Sequence, residues 1–344
     1  MAVTIKDVAR IAGVDPSTVS RVIADSPRIS EKTKEKVLKV MEELDFHPNA
    51  IARSLANRST KTIGVIMPHS SDQVFVNPFF TEVMRGIGAS ALKRGYYVLF
   101  STGSNGEEEY KATQRLVNEK RVDGLIILTS RIGDKTIEGL RKKRFPFVVV
   151  GKPSKTEDIN WVDNDNQEAG YQATEHLISL GHKKIAFIGG EFSYVFIGER
   201  FKGYKKALDS YGIKFDKELL SLGEFVEEGG YSAMKKLLSL KDRPTAAVAA
   251  DDLMAFGAMR AIKEEGFKIP GDIAIIGFND TPMASYIEPP LSSVEIFVYE
   301  LGYNASETLI NQVEEADVNK KHIIIPTSLK IRKSSGGKEQ LIKV

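Results

Sequence analysis

From Thr62 onward the chain alternates short, wholly apolar runs with longer amphipathic ones, and that alternation leaves few folds open. TIGVIMP, YYVLFST, VDGLIIL and FPFVVVG have no polar face, so they read as strands covered on both sides in a parallel sheet. Amphipathic helices are predicted between them, near residues 78 to 94, 106 to 120 and 133 to 143. A second series repeats the pattern with KKIAFIGG, TAAVAAD and DIAIIGF, and with helices near 166 to 180, 198 to 212, 228 to 240 and 252 to 265. The reading is an α/β core of two doubly wound units in tandem. After Leu291 one long helix, near 299 to 315, and the strand-like HIIIP and SLKIRK are expected to return to both units. This predicts a core over 62–334, with an amino-terminal subdomain at about 62–161 and 293–322 and a carboxy-terminal one at about 162–292 and 323–334. A polar tail, 335–344, follows.

A length of 344 residues is too great for one ordinary domain, and 42% hydrophobic with 27% charged residues is the balance of a globular protein. No apolar run reaches the roughly 18 residues of a membrane span, and MAVTIKDVAR lacks the apolar centre of an export signal. The expectation is a cytoplasmic protein with no membrane partner. There is no cysteine, and the five histidines (His47, His69, His176, His182 and His322) lack ligand spacing, so no metal site is expected.

Open parallel sheets take ligands beyond the carboxyl ends of their strands, so two facing units predict a cleft site between them. The strand-end residues are His69, Thr129, Ser130, Gly151, Lys152, Glu191, Asp251, Asp252, Asn279 and Asp280. This mixture of amides, carboxylates and cations matches sugar hydroxyls. Phe79, Phe80, Trp161, Tyr194 and Phe225 could stack on a pyranose ring, although a place in the core is the commoner role for such aromatics. Trp161 is the strongest of these candidates, because polar WVDNDN makes a poor core strand. Catalytic signatures are missing, and no catalytic residue or cofactor is expected. Gly86, Gly88 and Ala91 imitate a dinucleotide fingerprint but fall inside a predicted helix. No phosphate-binding loop or nucleophile elbow occurs, and the adjacent acids Asp251 and Asp252 read better as ligand contacts or helix caps.

The first sixty residues are of a different kind. Residues 1 to 61 hold 11 Lys and Arg against 8 Asp and Glu, a net +3, while the remainder carries −1. Thr4 can cap a first helix whose Ile5, Val8, Ala9 and Ala12 share a face, and Gly13 can stop it. Asp15 and Pro16 start a second helix, with Val19 and Val22 inward and Ser17, Thr18, Ser20 and Arg21 outward. Ser30 caps a third, whose Val37, Val40, Met41 and Leu44 would close a small core. Hydroxyls and one arginine at the start of a helix suit the edges and phosphates of a DNA major groove; a helical hairpin packed on another domain is the alternative. The predicted headpiece is 1–47 and the joint 48–61. In that joint Pro48 and Asn49 begin a helix too short to be stable alone, and Leu55 beside Ala52, Arg53 and Arg58 suits a minor-groove wedge, though a plain linker fits as well.

DVARIAGVDPSTVSRVI, ISEKTKEKV and HPNAIARSLA closely resemble the LacI/GalR family of bacterial transcription regulators. The body agrees through NPFF, VDGLIIL, EHLISLGHKKIAFIGG, ERFKGYKKAL, PTAAVAADDLMAFGAMRAI, DIAIIGFNDTP and PPLSSVE. The resemblance implies operator-base selection by Pro16 and Ser17, with shared base and phosphate contacts from Thr18, Ser20 and Arg21. It implies backbone contacts from Thr4, Arg28, Ser30 and Thr33, and a hinge helix with Asn49, Ala52 and an intercalating Leu55. Pro16 departs from the family's usual polar or aromatic residue, so base preference does not carry over. In the cleft the resemblance implies Arg200, Asp251 and Asn279 as polar clamps and Phe80, Trp161 and Phe225 as aromatic walls. NPFF, VVVGKP, VDNDN and SLKIRKS are most similar to the maltose-operon branch. The implied partners are double-stranded operator DNA, a small sugar effector and a second copy of the chain. A carbon-catabolite regulator answering to a phosphoprotein, or a sugar-binding receptor, is the alternative.

Overall fold

The computed structural model describes residues 3–24, 26–47, 59–68, 74–155, 158–315 and 320–336. The amino-terminal segment forms three helices, α1 (Ile5–Ala12), α2 (Pro16–Ile23) and α3 (Glu31–Glu43). The Asp7 carboxylate accepts from the Thr4 N–H and hydroxyl at 3.0 and 2.7 Å, closing the start of α1. Gly13 ends that helix at φ 63, where a side chain would be strained. Asp15 accepts from the Ser17 N–H at 2.8 Å, and Ser30 accepts from the Thr33 N–H, so the caps read from sequence form. Val8, Ala9, Ala12, Val19, Val22, Val37 and Val40 are buried together, with Met41 and Leu44 half-buried at the edge. The joint residues 48–58, including Asn49, Ala52 and Leu55, lie outside the described residues.

The core holds two six-stranded sheets. The strands are β1 (Thr62–Pro68), β2 (Tyr97–Gly103), β3 (Gly124–Ile127), β4 (Phe147–Val150), β5 (Asn160–Asn164), β6 (Ile185–Gly189), β7 (Leu220–Leu222), β8 (Ala246–Ala249), β9 (Ala274–Phe278), β10 (Ser292–Glu295), β11 (His322–Ile325) and β12 (Ser328–Lys330). The first sheet runs β11-β5-β4-β3-β1-β2 and is parallel throughout. The second runs β12-β10-β9-β8-β6-β7 and is parallel except for β12. The helices are α4 (Pro78–Lys93), α5 (Gly106–Asn118), α6 (Lys135–Lys143), α7 (Asn166–Ser179), α8 (Val195–Ser210), α9 (Glu227–Leu238), α10 (Asp252–Glu264), α11 (Met283–Tyr286) and α12 (Val298–Glu314).

Three expectations need correction. The proposed subdomain borders would cut β5, β10 and β11; the chain instead passes between sheets after Asn164, after Glu295 and between Ile325 and Ser328. WVDNDN is not a poor core strand: β5 is buried from end to end between β4 and β11. The short strands β7 and β10 were also missed, because LSL and SSVE carry serines and a glutamate in place of a wholly apolar run.

Helices pair tightly through glycines. A Cβ on Gly86 of α4 would fall on the Tyr299 carbonyl oxygen of α12, and one on Gly302 of α12 on the Val83 oxygen. Gly170 and Gly203 let α7 and α8 touch backbone to backbone, and Gly230 and Gly257 do the same for α9 and α10. Gly88, two residues on and so nearly on the opposite face of the same helix, has open space where its Cβ would be. Gly86→Ala should therefore overpack the α4/α12 contact and cost at least about 1–3 kcal/mol. Gly88→Ala should gain up to about 1 kcal/mol from helix propensity. Urea unfolding followed by circular dichroism separates them, and equal midpoints would sink the close-contact account.

Candidate functional site

Most of the parallel strands end toward the space between the sheets, and those ends build one cavity of about 590 Å³. Pro68 closes β1, Leu128 to Ser130 follow β3, Val150 and Gly151 end β4, and Asp163 and Asn164 end β5. From the other sheet come Glu191 after β6, Leu222 to Val226 after β7, Asp251 after β8 and Asn279 after β9. This is the carboxyl-end placement that parallel topology dictates.

Arg200 of α8 is the charged centre of this space. It is only 4% exposed, its Nε donates to Asn166 Oδ1 at 2.9 Å, and its Nη1 donates to the Ala250 carbonyl at 2.6 Å. Its guanidinium lies 4.2 Å from the Phe278 ring centre and 5.1 Å from that of Phe196. No hydrogen bond among the described residues takes up Nη2. Burial pulls its pKa down to about 10, and the charges of Asp163, Asp251 and Asp252 keep it protonated at neutral pH. Burial likewise pushes Asp163 and Asp251 up from the usual carboxylate range, against the donors that surround them. Asp163 accepts from the Lys152 and Asn164 N–H groups at 2.7 Å and from the Asn166 amide at 2.9 Å. Asp251 accepts from the Leu253 N–H at 2.7 Å and the Asn279 amide at 2.8 Å. Asn279 holds that position at φ 101, a strained angle for a residue with a side chain.

Aromatic faces supply the rest of the wall. Phe79 and Phe80 meet edge to face, with ring centres 5.3 Å apart, and Tyr194, Phe196 and Phe225 form a second group with centres 5.7 to 6.0 Å apart. Across the rim the two lobes touch. Arg131 holds Glu109 by two bonds of 2.8 Å and donates to the Tyr194 hydroxyl at 3.3 Å. Backbone bonds from Ile132 to Ser193 and from Val195 to Ser130 stitch the same seam.

Of the cleft residues read from sequence, Phe79, Phe80, Tyr194, Arg200, Phe225, Asp251 and Asn279 line this cavity together. Trp161 and Lys152 do not. Trp161 sits mid-strand in β5, buried among Ile127, Val149 and Ile159, and stacks on His322 at 4.9 Å. Lys152 contributes its backbone N–H to Asp163 while its side chain is exposed. Asp252 lies buried beneath the wall and Asp280 pairs with Arg332 at 2.6 Å, while His69 is outside the described residues. Asn77, Ser104, Asp163, Asn164, Asn166, Phe196 and Glu224 line the cavity and were missed. Recognising WVDNDN as a strand would have exposed Asp163 and Asn164 by the strand-end rule.

In the amino-terminal helices, Pro16, Ser17 and Arg21 of α2 are exposed, and Thr18 and Ser20 partly so. Thr4, Arg28 and Ser30 are exposed and Thr33 is half-buried, with Thr4 and Ser30 at helix starts, where backbone N–H groups favour anions.

Residues 4–49 match the model of bacterial regulatory proteins of the lacI family, and residues 174–335 match a periplasmic binding protein-like domain. The chain is 38% identical to the transcriptional regulator MalR of Streptococcus pneumoniae serotype 4 over 93% of its length and 96% of the relative's. The lac repressor dimer bound to operator and the anti-inducer ONPF superposes with a TM-score of 0.84 at 30% identity, covering 97% of this chain and 99% of that one. The complex of the regulator CelR with cellobiose superposes at 0.77 and 32% identity, covering 96% and 99%.

Asp252 provides a test of the site's foundations. It accepts from the Thr281 N–H and hydroxyl at 2.7 and 3.0 Å and from the Ser293 hydroxyl at 2.7 Å. Burial, with the Asp251 charge beside it, pushes its pKa up to about 8 against these donors. The unfolded chain therefore binds fewer protons at this residue between its ordinary value of 3.8 and about 8, and the contribution to stability falls as pH rises through that window. Asp252→Asn, the uncharged isostere, should fold, and its Tm relative to the parent should rise from pH 5 to pH 8. A constant difference would refute a protonated Asp252.

Proposed function

Since the chain belongs to the LacI family of DNA-binding transcription regulators, and is therefore no enzyme, we propose that it represses a sugar operon, with maltose or a maltodextrin as effector. The carrying observation is the cavity, where Arg200, Asn164, Asn279 and Asp251 stand among the rings of Phe79, Phe80, Tyr194, Phe196 and Phe225. Neutral hydroxyls can pair with such amides and charges while the ring faces stack on a pyranose. The likeness of NPFF, VVVGKP, VDNDN and SLKIRKS to the maltose-operon branch favours maltose, and the CelR complex holds cellobiose, a disaccharide of the same size.

On this reading α2 enters the major groove of operator DNA with Pro16, Ser17, Thr18, Ser20 and Arg21, while Thr4, Arg28, Ser30 and Thr33 meet the phosphates. Asn49, Ala52 and Leu55 take the minor groove, with Leu55 as the wedge. A second copy supplies the other half-site. Tyr97, Leu99 and Phe100 on the edge strand β2, with Phe75, whose ring centre lies 5.8 Å from that of Phe100, and with Val76 and Leu92, are exposed apolar residues of the kind a dimer covers. The protein works in the cytoplasm, where its operator is. Sugar acts as inducer, and it can weaken the grip on DNA only as far as it favours one arrangement of the two lobes over the other.

Calorimetry with maltose and anisotropy titrations of operator and random duplexes at fixed salt test this directly. Arg200→Lys keeps the charge but loses the fork, and should weaken maltose binding about tenfold, the value of one charge-assisted bond, without changing sugar-free operator affinity. Leu55→Ala should weaken operator binding by a similar factor, the loss of about 1–2 kcal/mol of wedge contacts, with sugar affinity intact. Equal grip on operator and random DNA, with maltose or without it, would overturn the reading.

A further inference from the structure

At the start of the core, several hydrogen bonds converge on a single carboxylate. Asp123, just ahead of β3, accepts from the Ser59 hydroxyl at 2.6 Å, the Thr60 N–H and hydroxyl at 2.7 and 2.9 Å, and the Lys61 N–H at 2.9 Å. Lys61 is held in a left-handed conformation at φ 48, and its Nζ reaches Glu314, the last residue of α12, at 3.0 Å. Arg94, at the carboxyl end of α4, donates to the same Glu314 and also to Glu307 and Asn311 at 3.1 and 2.9 Å. The carboxyl ends of α4 and α12 are thereby tied to each other and to the residues that lead out of the core toward the DNA-reading half.

The opposite ends of the same two helices stand on the cavity. Phe79 and Phe80 of the first turn of α4 line it, as do Leu301 of the first turn of α12 and Ile296 just before that helix. Between the ends the helices run parallel, and Gly86 and Gly302 bring their backbones into contact, so one cannot slide on the other without collision. A 17-residue helix is roughly 25 Å long, the whole distance from ligand wall to core entrance.

We propose that the α4/α12 pair moves as one body between cavity and residues 59–61, with Glu314 and Asp123 as the positioning residues that make those residues follow it. This rests on the sugar-responsive repressor reading and names the parts that would carry the response. A lone exposed ion pair transmits little. Here Lys61 is held on two sides, by Glu314 from the helices and by Asp123 from the sheet.

The test uses the full-length protein, with Glu314→Gln and Asp123→Asn as variants, neither of which touches the cavity. Calorimetry measures maltose affinity, and hydrogen exchange with mass spectrometry follows the peptide covering residues 59–68. In the parent, maltose should change exchange there by about fivefold or more, the low end of ordinary coupling between sites. In both variants that change should fall to about twofold or less with maltose affinity unaltered, and Lys61→Arg, which keeps the cation, should respond like the parent. A full response in both variants overturns the proposal. If maltose does not bind the parent, the effector assignment has failed, and reciprocity lets the same question be asked from the other end. A duplex enriched from a random pool by the parent should then change exchange around Ile296 to Leu301 in the parent and not in the variants; no change in the parent, or equal change in all three, overturns the proposal.

Discussion

A guanidinium sealed between two sheets is tolerable only if opposite charge and acceptors surround it, and Arg200 sets that condition for the whole core. Its partners come from both lobes. Asp163 ends β5 of the first sheet, Asn166 opens the first helix of the second lobe, and Ala250 and Asp251 follow β8. The point where the chain first crosses between lobes is therefore also where the charge is balanced. Any ligand that takes up the remaining N–H groups of Arg200 acts on the crossing itself.

The far rim is held by different chemistry. There Arg131 and Glu109 of one lobe meet Tyr194 of the other, and Tyr194 presents its ring to the cavity while its hydroxyl is bound across the cleft. Stacking against that ring and fastening the lobes are thus duties of one side chain. With the hinge at Asn164 to Asn166 and this seam opposite it, the cavity is bordered on two sides by contacts whose geometry depends on how far the lobes have closed.

The alternation of apolar runs and amphipathic stretches made most strands and helices legible, because a strand covered on both faces has nothing but Val, Ile, Leu and Ala to offer. It failed where a strand end carries polar work. WVDNDN was read as unsuited to a core because its last residues are polar, yet Asn160 to Asn164 form a central strand whose tip needs Asp163 and Asn164 in the cleft. Its tryptophan, chosen for the site, belongs to the packing instead. The cleft residues recovered from sequence follow strands recognised as such or belong to motifs of the family likeness; those missed follow strands too short or too polar to see, or sit on loops such as Ser104. Gly86 could be dismissed as a nucleotide fingerprint from sequence, but its closeness to Tyr299 is a meeting of segments more than 200 residues apart, which no local pattern reports.

That meeting carries a consequence for biosynthesis. The first lobe lacks an edge strand and the partner of α4 until the ribosome has made β11 and α12, long after its other strands have emerged. During that interval the Gly86 face of α4 is bare hydrocarbon and backbone. The second lobe in turn takes up β10 and β12 from that same late stretch of chain. Both lobes therefore stay open until this late stretch has emerged, the first gaining β11 only just before the second gains β12.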